Sequence, residues 1–325
     1  MSLRPDSVSQ KVPQWSDERL TGSAPRSLGE QDRELAIVVL NYNSGQDLLH
    51  CVESILKSGG HHRDIIVVDN ASVDESLSLL VAQHPNLVYL RSSHNGGFTQ
   101  GNNLGLRYAE ASGYRYVLII NPDVELNANA LSELFRAAKA YSNGAIICPA
   151  VYEDPGFRIA NFLGTKPVTD RSLLSWYRLH FRFWDLRIPQ HPSTETCRIH
   201  AFWGCCFIVN LDAAGAGFQF DSKLFLHGVE AEVTLRACKN GASVVYVPGA
   251  RICHVGGVTR QETPRRVYLI NQGLCHAARQ NLPPVIFGAF WLELLWANIR
   301  SAGRDLLEKR RFTFWMRFRS LVDPI

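Results

Sequence analysis

Short blocks of branched apolar residues recur along the first 120 residues, and each stops on a polar turn. They are Leu35-Ala-Ile-Val-Val-Leu-Asn41, Asp64-Ile-Ile-Val-Val-Asp69, the shorter Leu87-Val-Tyr-Leu-Arg91 and Tyr116-Val-Leu-Ile-Ile120. Apolar runs of this length bounded by turn residues predict strands buried on both faces of a parallel sheet. The intervening stretches have helical spacing, clearest at Leu48, Leu49, Val52, Ile55 and Leu56 within 47–57. Further helices are expected through Gln83, from the Asn95–Gly105 stretch to Ser112 with Gly113 ending it, and over 127–140. Alternating strands and helices imply right-handed crossovers and a doubly wound α/β fold with helices on both faces of a mostly parallel, Rossmann-like sheet. Later, 201–209 reads as a strand, 229–239 as a helix closed by Gly241, and 244–247 as a last strand. The segment 152–197 is irregular and rich in Pro, Arg and aromatics, and reads as a lid or a surface excursion.

In such sheets ligands bind beyond the carboxyl ends of the strands. Three features share that rim: the loop Asn41-Tyr-Asn43, the acid Asp69, and Asn121-Pro-Asp123. Asp123 suits a hard divalent cation shared with a diphosphate, because Mg2+ and Mn2+ take oxygen ligands and keep positions open for phosphate. A capped turn explains the same residues. Asp69 could accept hydrogen bonds from a nucleobase or a ribose, or cap its own turn. Gly96, Gly97, Gly101 and Gly105 permit close backbone approach and put amides at a helix N-terminus, where anions are favoured. Asn95 and Asn102 could bond a sugar or phosphate, and turn chemistry explains Asn95-Gly-Gly97 equally well. These glycines do not follow the first strand, so a dinucleotide fingerprint is excluded. Glu230 and Glu232 open the later helix, where the dipole stabilises carboxylates.

Composition narrows the classes. A net charge of +4 is too small to argue for nucleic acid. Eight cysteines, two of them vicinal at 205 and 206, lack the paired spacings of a zinc site and imply reduced thiols in the cytoplasm. Residues 1–34 are polar and carry no apolar signal core, which predicts a loosely ordered extension.

In order along the chain, Val38-Val-Leu-Asn-Tyr-Asn43, Val67-Val-Asp-Asn-Ala-Ser72, Asn95-Gly-Gly-Phe98, Gly101-Asn-Asn-Leu-Gly105 and Asn121-Pro-Asp-Val124 resemble the inverting family 2 glycosyltransferases, in particular their bacterial rhamnosyltransferase-like branch. The resemblance runs from about Leu35 to Gly257. It implies a GT-A fold over 35–262 with a nucleotide-sugar donor site. On it, Asn41, Asn43, Asp69, Asn95, Gly96, Asn102, Asn121 and Asp123 bind the donor, and Asp69 reads the nucleobase. Asp123 holds Mg2+ or Mn2+ at the diphosphate, and His254, in a His-x-Gly-Gly element, lies close to that metal. The family's Glu-Asp-x-Asp element appears here as Val229-Glu-Ala-Glu232. Glu230 therefore falls on the catalytic base and Glu232 on the following acid.

From 263 to 325 basic and bulky aromatic residues alternate, and the longest apolar run is broken by Glu293. Such a helical region suits a peripheral contact with the inner, cytoplasmic face of the plasma membrane, the reading favoured here over packing on the domain or on a second subunit. The resemblance implies transfer of a sugar, rhamnose from dTDP-rhamnose as the first guess, to a lipid-linked or polysaccharide acceptor in cell-envelope synthesis. The competing reading is a nucleotide-sugar-binding partner subunit with a degraded base, resting on Val229 and Glu230. A nucleotidyltransferase would need a glycine- and arginine-rich loop after the first strand, and Asn41-Tyr-Asn-Ser44 is not one.

Overall fold

The computed structural model describes residues 34–157, 160–161, 193–254, 263–307 and 311–323. The N-terminal extension, most of the 152–197 segment and the glycines after His254 lie outside them. Among the described residues ten strands form one sheet. They are β1 (Leu35–Asn41), β2 (Ile65–Asp69), β3 (Val88–Arg91), β4 (Tyr116–Ile120), β5 (Val124–Leu126), β6 (Gly144–Tyr152), β7 (Ala160–Asn161), β8 (Cys197–Ile199), β9 (Cys206–Asn210) and β10 (Ser243–His254). The helices are α1 (Asp47–Lys57), α2 (Ser76–Gln83), α3 (Gly97–Ala111), α4 (Ala130–Ala140), α5 (Leu211–Ala214), α6 (Val229–Lys239), α7 (Pro264–Asn281), α8 (Pro284–Leu307) and α9 (Arg311–Val322).

The main path of the sheet runs β3-β2-β1-β4-β9-β6-β10-β5. Its first half is parallel, as the alternation of elements predicts. Beyond β4 it is mixed: β9 lies antiparallel to both β4 and β6, while β6 and β10 are parallel. The apolar pattern fixes that β9 is buried and says nothing of its direction, because both faces are covered either way. Successive residues serve opposite faces. Ala36, Val38, Val117 and Ile119 belong to one core, and Ile37, Val39, Leu118 and Ile120 to the other. Each of the fully buried Val, Leu and Ile side chains is worth about 1.5–3 kcal/mol, so β1 and β4 anchor everything mounted on their ends.

Two local devices bring the rim together. On α3, a β-carbon at Gly101 would sit 2.4 Å from Leu40, and one at Gly105 2.5 Å from Val38. The glycine face thus lets α3 press onto β1. At the other end of the sheet β5 pairs antiparallel with the end of β10, setting Val124 opposite His254. This pairing exists only because β10 continues well past residue 247, through a register shift, to residue 254.

The C-terminal helices pack on the domain. Ala231 and Leu235 of α6 share a third cluster with Ala277, Ala278 and Leu282 of the α7 end, Phe290 and Leu294 of α8, and Leu321 of α9.

Candidate active site

The loops after β1 and β2 are tied to one another. Asn41, fully buried, donates from Nδ2 to Asp69 Oδ1 at 2.9 Å and to the hydroxyls of Ser72 and Ser76. Its Oδ1 accepts from the Ser44 hydroxyl. The Asn43 amide donates to Ser72 Oγ, and the Val73 amide returns to Asn43 Oδ1 at 2.8 Å. Asn43 and Ala71 both take positive φ, 49° and 62°, to turn this corner. Asp69 is fully buried, accepts from the Ser72 amide, and pairs with Arg91 Nε at 3.2 Å. Arg91 itself reaches solvent, as does Tyr42.

The Asn95-Gly-Gly97 loop turns inwards. Asn70, which the sequence reading passed over, accepts from the Gly96 amide and donates to Asn95 Oδ1 and the Gly97 carbonyl. Gly97 takes φ 73°, and a β-carbon there would fall 2.2 Å from the Phe225 carbonyl oxygen. That oxygen accepts from the Phe98 amide. The amides at the start of α3, expected to face an anion, are therefore spent on protein oxygens, because the loop before α6 docks where an anion would have to sit. Asn102 is buried, and its Nδ2 donates to the Phe98 carbonyl one turn earlier.

Asp123 and His254 meet as the β5–β10 register requires, with His254 Nε2 3.1 Å from Asp123 Oδ2. Burial opposes the imidazolium, but hydrogen bonds with Asp123 and with the Cys205 sulfur outweigh it and raise His254 to about 10. The Cys205 carbonyl also accepts from the Asn121 amide at 2.8 Å. Among the described residues no three His, Cys, Asp or Glu side chains converge on one ion. A cation that displaces the shared proton would find one carboxylate and one imidazole here and take its other ligands from a bound diphosphate and water.

Immediately before Cys205 in the chain, Gly204 brings in the base candidate. A β-carbon at Gly204 would lie 2.5 Å from Glu230 Oε1, and the Gly204 amide donates to that carboxylate. Only a residue without a side chain leaves room for this approach. Burial raises the Glu230 pKa against the pull of these amide bonds.

Glu232 does not join them. Two residues apart on a helix means about 200° of rotation, so Glu232 faces away, pairing with Arg236 Nε at 3.1 Å. Burial raises its pKa despite Arg236. The expectation of Glu232 as the second acid of the site is corrected accordingly. Val229, standing where the family carries an acid, is buried in the main core.

The family model for glycosyl transferase family 2 matches residues 36–214, more than half of the chain. The chain belongs to this family. A low-salt glycan biosynthesis hexosyltransferase of Haloferax volcanii is 32% identical over 242 residues, covering 73% of this chain and 72% of that protein. An N-acetylglucosaminyl-diphospho-decaprenol L-rhamnosyltransferase of Mycobacterium tuberculosis is 24% identical over 238 residues, or 68% of this chain and 75% of the relative. A mannosyltransferase from Pyrobaculum calidifontis, solved with GDP-Man and Mn2+, aligns with TM-score 0.54 at 13% identity over 88% of this chain and 73% of that one. GalNAc-T7, solved with UDP, GalNAc and Mn2+, gives TM-score 0.56 at 16% identity over 77% of this chain; the alignment spans 48% of that larger chain. These structural likenesses establish the GT-A fold, and the family assignment makes this protein a glycosyltransferase.

Proposed function

We propose that this glycosyltransferase moves a hexose or deoxyhexose from a nucleoside-diphosphate donor to a lipid-linked acceptor with inversion, rhamnose from dTDP-rhamnose being the first donor to try. The observation that carries the reading is the short path joining Asp123, His254, Cys205, Gly204 and Glu230. It brings one imidazole and two carboxylates to one rim, which supports reading Asp123 and His254 as a cation pair and Glu230 as the base. The relatives named for hexosyl transfer and for rhamnosyl transfer to a decaprenol diphosphate support the donor and acceptor classes.

In this reading the nucleobase lies against Tyr42, Asn43 and Arg91, with Asp69 beneath ordering the loop and the guanidinium. Asn41, Asn70, Asn95 and Gly96 hold the frame through bonds within the protein, and Asn102 braces the start of α3 through its Nδ2, while its buried Oδ1 has no partner among the described residues. Asn121 positions the turn that presents Asp123. Asp123 and His254 would hold Mg2+ or Mn2+, which would supply positive charge to the departing nucleoside diphosphate. Glu230 takes the proton from the acceptor hydroxyl. That oxygen bonds to the anomeric carbon as the carbon–phosphate oxygen bond breaks on the opposite face, and the leaving diphosphate keeps the electron pair. A carboxylate with a raised pKa is a stronger base than one in water, which suits this transfer.

The test is calorimetry of UDP, dTDP and their sugars with and without Mn2+, on wild type, Asp123→Ala and His254→Ala. Mn2+-dependent binding lost in both variants is the expected result. Binding that ignores Mn2+ and both substitutions would remove the assignment of this pair.

A further inference from the structure

Among the described residues, the helices from 263 onward leave one face uncovered. Along α8, Val285, Leu292, Trp296 and Ile299 are between 45% and 86% exposed. At 100° per residue these four fall within an arc of about 60°. Phe290 and Leu294, on the opposite side, fill the cluster shared with α6 and α7. The stripe is therefore a second apolar face and not the edge of the core. Trp315 and Val322 of α9, two turns apart, are also exposed, with Arg319 between them. Among the described residues no helix is long and apolar enough to cross a membrane.

Charge selects the occupant. Residues 263–325 hold ten Lys and Arg against four Asp and Glu, a net +6 in a chain whose total is only +4. Arg300 is exposed beside the α8 stripe. A second copy packed antiparallel about the stripe's centre would set Arg300 near Pro283-Pro284, and the one acid from 284 to 300 is Glu293. Self-pairing thus leaves Arg300 without an acid opposite it, while a lipid phosphate would match it and the headgroup boundary takes the indoles; Arg319 is already paired with Asp323 at 2.9 Å.

We propose that this face seats the enzyme on an anionic lipid surface, with Val285, Leu292, Trp296 and Ile299 in the headgroup–acyl boundary and Arg300 on a lipid phosphate. The inference deepens the reading of a lipid-linked acceptor and rests on it only for its purpose. Because α6 shares its cluster with α7, α8 and α9, the seated helices and the helix carrying Glu230 form one packed unit. Seating would fix the direction in which the base meets an acceptor held in the same bilayer.

The experiment is flotation of the full chain with vesicles of phosphatidylcholine alone or mixed with phosphatidylglycerol, on wild type and Leu292→Glu/Trp296→Glu. Wild type is expected to float with the mixed vesicles and not with phosphatidylcholine alone, and to detach in high salt. The double variant is expected to lose at least about tenfold in partitioning, while its thermal unfolding and Mn2+-dependent UDP or dTDP binding stay unchanged. Equal partitioning of variant and wild type overturns the proposal. So does wild type that floats with neither vesicle, or a wild-type dimer in sedimentation that the variant splits without any vesicle binding. Failed flotation with nucleotide binding intact sinks the seating alone; lost nucleotide binding in wild type sinks the donor reading instead.

Discussion

Gly273 of α7 lies directly against Gly228, the residue that caps α6. A β-carbon on Gly273 would fall 2.2 Å from the His227 carbonyl oxygen, and one on Gly228 would fall 2.5 Å from the Gly273 carbonyl carbon. Gly228 also takes φ 87°, which side chains resist. The two backbones touch two residues before Glu230, and Asp221 and His276 close the same seam with a 2.6 Å contact. Burial opposes the Asp221 charge, yet the His276 bond holds that carboxyl below its ordinary value.

Gly273→Ala should therefore push α7 off α6. Overpacking of this kind costs about 1–3 kcal/mol, readable as a lower denaturant midpoint. Because Glu230 moves with α6, kcat should fall while donor affinity at the far rim holds. Loss of donor affinity with kcat intact would contradict the seam's role.

Glu230→Gln should lower kcat by about 100- to 10,000-fold with nucleotide binding retained. The folded protein holds the Glu230 proton more tightly than the unfolded chain does, because burial raises its pKa above the ordinary 4.5. Ionising it therefore costs stability, and that cost grows as pH rises from the ordinary value through the raised one. Glu230→Gln, which cannot ionise, should unfold at a temperature equal to or above wild type at pH 8. In wild type, the acid limb of kcat/KM should sit above the ordinary glutamate range. A variant less stable than wild type at pH 8 would count against a strained buried carboxylate.

Asn41→Ala tests whether the first loop frames the donor or touches it. The substitution strips Asp69, Ser72 and Ser76 of a buried donor and leaves the Ser44 hydroxyl without its acceptor. A stability loss of about 1–3 kcal/mol is expected, together with weaker nucleotide binding. Weaker binding at unchanged stability would instead mark Asn41 as a direct ligand.

The sequence by itself determined the strands β1, β2 and β4 and the residues at their ends, since a run of branched apolar side chains closed by a turn residue is a local signal. It also determined that Glu230 opens a helix and that β4 stops before the Asn121-Pro-Asp123 turn. Tertiary structure decided what meets what. Asp123 and His254 are 131 positions apart and touch only because β5 pairs antiparallel with an extended β10. Helical rotation turned Glu232 away from Glu230 and onto Arg236. The glycines of α3, read as room for an anion, were filled by Leu40, Val38 and the Phe225 carbonyl. The direction of β9 and the docking of α7 on Gly228 left no mark in local pattern. Strand direction and backbone-to-backbone contact depend on which distant segment arrives opposite, and side-chain periodicity records only that a face is buried.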